Sequence, residues 1–269
     1  MKTAFKPAKD NARTNISARN YTNSDGRAHT ERFSGKYSGA FTLAEVLITL
    51  GIIGIVAAMT LPTLIKNNQR KETEARLQKA YSTISQAFLS AQAKHGEAKY
   101  WPEWDDAETI LTKYIAPEIK GAKVFPTNTS IANLMCYEGK FHSGVGVNDE
   151  ATQYIWMDKV YLSTPFLKNN TASIKLMDGT CIGLNKASEK YSKQMFIDTN
   201  GSYRAPNMAG KDLFFFVVED NNIKPRGYDW TVSDLFNPET GNSCHGKALH
   251  GGLVCAAKIM GDGWTIKYW

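Results

Sequence analysis

Hydrophobic and polar positions alternate with different periods along the chain, and the changes of period mark its elements. Residues 1–39 are rich in Asn, Ser, Thr, Ala, Lys and Arg and show no apolar periodicity. Such a composition buries too little apolar surface to offset the entropy of ordering, so no folded core is predicted there. From Phe41 to Ile65 the chain is apolar for 25 residues with a single charge, Glu45, which is long enough for a membrane-spanning helix. The helical pattern then continues in polar form. Within KNNQRKETEARLQKAYSTISQAFLSAQAKHG, Leu77, Tyr81, Ile84, Phe88 and Ala91 recur at spacings of 4, 3, 4 and 3, the mark of one apolar face on an amphipathic helix. Gly96 is a stop signal, so one helix is predicted from Thr42 to Lys94, on the order of 80 Å long at about 1.5 Å per residue. Pro62 removes a backbone donor, and Gly51 and Gly54 weaken the helix upstream, so a kink or loosening is expected at the proline.

From Tyr100 onward turn residues and β-formers take over. Residues 97–135 mix short helical and loop signals. Tyr154–Leu162 (YIWMDKVYL) reads as a strand, and SIKLMDGTCIGLN carries an Asp178-Gly179 turn between two short runs, a hairpin signal. QMFIDTNGSY, LFFFVVED and the final GWTIKYW read as further strands. The pattern predicts an α+β fold, a small antiparallel sheet packed on the C-terminal half of the long helix.

Glu45 changes this picture. An ionised carboxylate in hydrocarbon costs several kcal/mol unless paired, so it marks a functional position or else snorkels to the headgroups from its place near the leading end of the run. Charge placement gives a direction. The formal net charge is +6, of which +5 lies in residues 1–40, and positive charge just before the span holds that flank in the cytoplasm. Residues 41–269 are close to neutral, which gives no electrostatic case for a nucleic-acid partner. A secretory signal would have a shorter apolar core with its small-residue cleavage site behind it. Here the small residues Gly39 and Ala40 precede the apolar run, so cleavage would leave the span on the mature protein.

These residues, GA followed by FTLAEVLITLGIIGIVAAMTLP, resemble the N-terminal signature of type IV pilins and of type II secretion pseudopilins. The resemblance covers roughly residues 38–95. It implies a prepilin peptidase that cuts between Ala40 and Phe41 and methylates the new amine of Phe41. It also implies that Glu45, at the fifth mature position, pairs with the Phe41 amine of a neighbouring subunit, and that the stretch from Gly54 to Pro62 can unwind on assembly. Ala40 stands where the family usually has Gly, and Gly39 offers a cut one residue earlier. The organisation expected is a cytoplasmic leader over 1–40, a transmembrane and assembly helix over 41–65, and an extracytoplasmic pilin-like head over 66–269. The partners implied are the protein itself and related pilin-like subunits, the peptidase, an inner-membrane assembly platform and the membrane. The localisation implied is a single pass of the bacterial inner membrane, followed by a filament in the periplasm or at the cell surface.

Four cysteines, Cys136, Cys181, Cys244 and Cys255, all follow the span. In an oxidising compartment an even count suggests two disulfides, with Cys244 and Cys255 closing a C-terminal loop and leaving Cys136 with Cys181, other pairings being open. CHGKALHGGLVC invites a zinc reading, but no ligand pair has a matching second pair. GNSCHGKA follows phosphate-loop spacing to Lys247 and then offers Ala248 where a Ser or Thr is required. DTNG, at Asp198–Gly201, opens like a calcium loop but has Ala209 at the twelfth position, so a β-turn is the simpler expectation. No cofactor or metal is expected. No nucleophile elbow or His-Glu-x-x-His motif is present, so no enzyme is expected either. Two alternatives remain, the first different in kind and the second different only in its ligand. A membrane-anchored extracytoplasmic enzyme would lose activity on mutation of one polar residue with filaments intact, and a DNA-uptake or adhesive minor pilin would expose aromatic and basic clusters on its head.

Overall fold

A computed structural model describes residues 42–126, 135–136, 171–185, 193–201, 204, 206–237, 239, 241–248 and 250–268. The chain divides into two compact units, Met1–Ala57 and Ala58–Trp269. Helix α1, Leu43–His95, is assigned through Gly51, Gly54 and Pro62 without interruption. The loosening expected at Pro62 is therefore not seen as a break. A proline amide lacks only its own donor, and the turns on either side keep theirs.

In the second unit α1 buries the face that the spacing marks: Leu77, Ala80, Ile84, Ala87, Phe88 and Ala91 are all buried. Short helical turns follow at Ala98–Tyr100, at α2 (Ala107–Thr109), at the wider turn Ile110–Ile115 and at Ala116–Glu118. They hold Trp101 stacked on Tyr114 at 4.1 Å and edge-on to Phe88 at 5.5 Å, which closes one end of the core.

Six strands, β1 (Lys123–Phe125), β2 (Thr171–Lys175), β3 (Cys181–Asn185), β4 (Gln194–Asp198), β5 (Leu213–Glu219) and β6 (Asn222–Pro225), form one antiparallel sheet in sequence order. In the β2–β3 hairpin Ile174 faces Ile182. At its tip Gly179, at φ 89°, lets its amide return to Leu176, while Asp178 accepts from the Thr180 amide. Lys79 on α1 meets Asp178 at 2.8 Å and ties this tip to the helix.

Alternate positions on the strands bury two cores. Ile174, Ile182, Ile197, Phe214 and Phe216 join the helix-side core, with Tyr81 of α1 stacked on Phe216 at 5.5 Å. Phe196, Leu213 and Phe215 join Met135, Cys136 and Leu253 on the opposite face. Covered on both faces, the central strands read as continuous apolar runs such as LFFFVV.

One expectation changes here. GWTIKYW forms no strand among its described residues. The Ile266 amide donates instead to Glu74 of α1 at 2.6 Å, Trp264 lies 5.5 Å from the Tyr81 ring, and the Tyr268 hydroxyl donates to the Gly210 carbonyl at 2.6 Å. The alternation in this segment thus serves contacts with side chains and loops, not a ladder. Strands β1 and β6 and the C-terminal helix α4 (Cys255–Gly261) were not anticipated. Tyr154–Leu162 lies outside the described residues.

Disulfides join Cys136 to Cys181, on β3, and Cys244 to Cys255, at the start of α4. The first fixes residues 135–136 on the far face of the sheet, where the Cys136 amide also donates to Ser173 Oγ at 2.8 Å. The second fastens the loop after α3 (Val232–Leu235), a turn capped by Thr231. In that loop Gly252, at φ 105°, allows an approach in which a Cβ would lie 2.5 Å from the Ala209 carbonyl. Non-reducing peptide mapping of the purified protein should recover these two linked pairs. Replacing either pair by alanines should cost about 2–4 kcal/mol in unfolding experiments, the 45-residue separation more than the 11-residue one.

Candidate functional site

The distinctive chemistry of the chain begins at the first turn of α1. Thr42 precedes the helix, its hydroxyl accepting the Glu45 amide at 3.2 Å, and Glu45 Oε2 accepts both the Thr42 amide and the Thr42 hydroxyl at 2.8 Å. This is a capping box, in which a Thr and a Glu three residues later satisfy each other's orphan donors at a helix start. The Thr-x-x-Glu spacing ahead of an apolar run is its sequence signal, and the charge reading of Glu45 passed over it. The carboxylate also lies at the positive end of the helix dipole, which favours a negative charge. Its other oxygen, Oε1, makes no hydrogen bond among the described residues.

Beyond this cap the helix carries its apolar side chains uncovered. Leu43, Leu47, Ile48, Leu50, Ile53 and Met59 are between 60 and 80 % exposed, values normal only for a side chain meant to meet lipid or another protein. The segment is long and apolar enough to cross a membrane. A Cβ built on Gly51 or Gly54 meets nothing within 4 Å, so nothing among the described residues requires glycine at either position. Pro62 lies on the same helix, in the second unit. Gly39, Ala40 and Phe41 lie outside the described residues.

The other candidate motifs resolve into local structure. Cys244 and Cys255 are bonded to each other, and the His250 ring meets Asn242 Oδ1 at 2.8 Å. The Asp198 carboxylate accepts the Asn200 and Gly201 amides at 3.2 and 2.9 Å, so DTNG forms an Asx turn at the end of β4. Nearby Asp212 is buried, with Oδ1 accepting from Met208 N at 2.6 Å and Oδ2 from Asn207 N at 2.8 Å and Asn200 Nδ2 at 3.3 Å. Burial pushes its carboxyl up to about 6 against these hydrogen bonds. Among the described residues no three His, Cys, Asp or Glu side chains converge as a metal site would require.

Comparison with known families agrees with this arrangement. Residues 35–61 match the prokaryotic N-terminal methylation motif, and residues 63–268 match a family of unknown function, DUF6613. The chain belongs to the DUF6613 family. No curated protein and no solved structure matches it. The methylation motif on an apolar N-terminal helix and the α+β architecture of the described residues are pilin-like and support a membrane-anchored protein of the type IV pilin and pseudopilin kind. The same motif points to a structural, not an enzymatic, protein.

Proposed function

We propose that the protein is a subunit of a type IV pilus-like or type II secretion pseudopilus-like filament. The precursor enters the inner membrane with residues 1–40 as a cytoplasmic leader, residues 41–65 as the span and residues 66–269 outside. Prepilin peptidase cuts between Ala40 and Phe41 and methylates Phe41. An inner-membrane platform then lifts the subunit into the filament, where Glu45 pairs with the Phe41 amine of a neighbour and the uncovered apolar side chains pack between subunits. Gly54 and Pro62 belong to this packing segment, where small or donor-free positions let helices approach or loosen.

The observation that supports this most is a solitary carboxylate at the start of an uncovered apolar helix, inside a matched methylation motif. The capping box favours a second reading, in which Glu45 only closes its own helix and the span is a plain anchor. The Glu45 substitution discussed below separates the two.

Processing gives the direct test. N-terminal mass spectrometry of membrane-extracted protein, from a strain with active prepilin peptidase, should find N-methyl-Phe41 as the first residue. An intact Met1 terminus would refute the cleavage, and a start at Ala40 would move the scissile bond one residue upstream.

A further inference from the structure

A cleft of about 730 Å³ opens on the second unit between α1 and the loop that follows β4. Its helix wall runs from Pro62 and Ile65 through Lys66, Gln69 and Glu72 to Arg76, one face whose members recur three and four residues apart. Its loop wall comes from Thr199, Asn200, Pro206 and Asp212 and carries Arg204 and Lys211. The volume is within the roughly 300–1,000 Å³ range of small-ligand sites.

The charge inside is unbalanced. Arg76 is paired with Glu72 at 2.8 Å, and both oxygens of Asp212 are taken up by its own loop. Lys66, Arg204 and Lys211 have no ion pair among the described residues, so three cations face a cleft whose carboxylates are already engaged.

The position of the cleft identifies the ligand class. The 25-residue apolar run spans roughly 37 Å at about 1.5 Å per residue, a little more than the about 30 Å of bilayer hydrocarbon. Ile65 ends that run and Lys66 follows it, so a span over residues 41–65 would put the mouth of the cleft at headgroup level. Pro62 and Ile65 supply an apolar floor for the first methylenes of an acyl chain, and Lys66, Arg204 and Lys211 supply donors for a phosphodiester. We propose that this cleft is a binding site for the phosphate headgroup of an anionic phospholipid in the outer leaflet, occupied while the subunit waits in the membrane. The site rests on the reading that residues 41–65 span the bilayer. Leaving the membrane for a filament would require giving up this lipid.

Native mass spectrometry of the full-length, detergent-solubilised protein with equimolar phosphatidylglycerol and phosphatidylcholine tests it. The wild type should retain phosphatidylglycerol by about tenfold over phosphatidylcholine. A Lys66→Gln, Arg204→Gln, Lys211→Gln variant should lose that preference. A control of equal charge change at exposed sites, Lys120→Gln, Lys247→Gln, Lys267→Gln, should keep it. Equal retention of the two lipids by the wild type, or equal loss in both variants, would overturn the site. Displacement of the lipid by an equal concentration of glycerol phosphate would overturn the lipid assignment in favour of a soluble phosphate. Resistance to alkaline extraction from vesicles is measured separately. Extractable protein would count against the spanning reading, whereas inserted protein without lipid preference counts against the site alone.

Discussion

Glu45→Gln should leave insertion and N-terminal processing intact and should abolish, or sharply reduce, the recovery of sheared filaments. Glutamine is accepted at the third position of a capping box, so the variant keeps the contacts between Thr42 and residue 45 and removes only the charge. If the Phe41 amine of a neighbour is buried against that charge, the variant leaves a lone cation among apolar helices, at a cost of about 3–5 kcal/mol per subunit. Repeated at every subunit contact, a penalty of that size stops polymerisation. The plain-anchor reading predicts the opposite, because an amide is easier to hold in lipid than a carboxylate and the cap survives. Processing and filament yield measured in one strain decide the matter, and normal values of both would count directly against the charge pair. Glu45→Ala is the less informative change, since it removes cap and charge together.

Phe88→Ala should destabilise the head by about 3–5 kcal/mol, whereas Leu89→Ala, one residue along the same helix, should change it by no more than about 0.5 kcal/mol. Phe88 is 2 % exposed and lies against Trp101, so its removal opens a cavity where α1 meets the Ala98–Tyr100 turn. Leu89 is 59 % exposed and has no such enclosure. Urea unfolding of the full chain in detergent, followed by tryptophan fluorescence, should separate the two variants clearly. Equal losses at both positions would show that this face of α1 is not the one that docks the sheet.

The contrast between these neighbours was legible in the sequence, because helical periodicity depends only on local geometry. Leu77, Tyr81, Ile84, Phe88 and Ala91 share a face whatever they touch, and the structure buries or half-buries all five. The same holds for the β2–β3 hairpin, where Asp178-Gly179 supplies the turn and the register follows from it. The start of α1 was legible too, in Thr-x-x-Glu, but the charge in an apolar run drew notice to one role of Glu45 and hid the other.

Elements defined by their partners were not legible. Strand β1 is three residues long and exists because Val124 meets Ile174 across the ladder, while β6 exists because the Asp220-Asn221 turn folds Asn222 back onto Glu219. GWTIKYW carries a strand pattern, yet Glu74, far away in sequence, takes the Ile266 amide first. A long-range hydrogen bond leaves no local trace.

By itself, then, the sequence determined the long helix, its uncovered apolar half, the lone carboxylate at its start and the α+β character of the head. Each of these follows from periodicity, length or a short motif within a few residues. Only the tertiary structure decided which carboxylates are already engaged, that the sheet is covered on both faces, and that Lys66 on the helix shares a cleft with Arg204 and Lys211 on a loop more than a hundred residues later. Those facts depend on which distant backbone groups and charges find each other first, and that competition is settled in space.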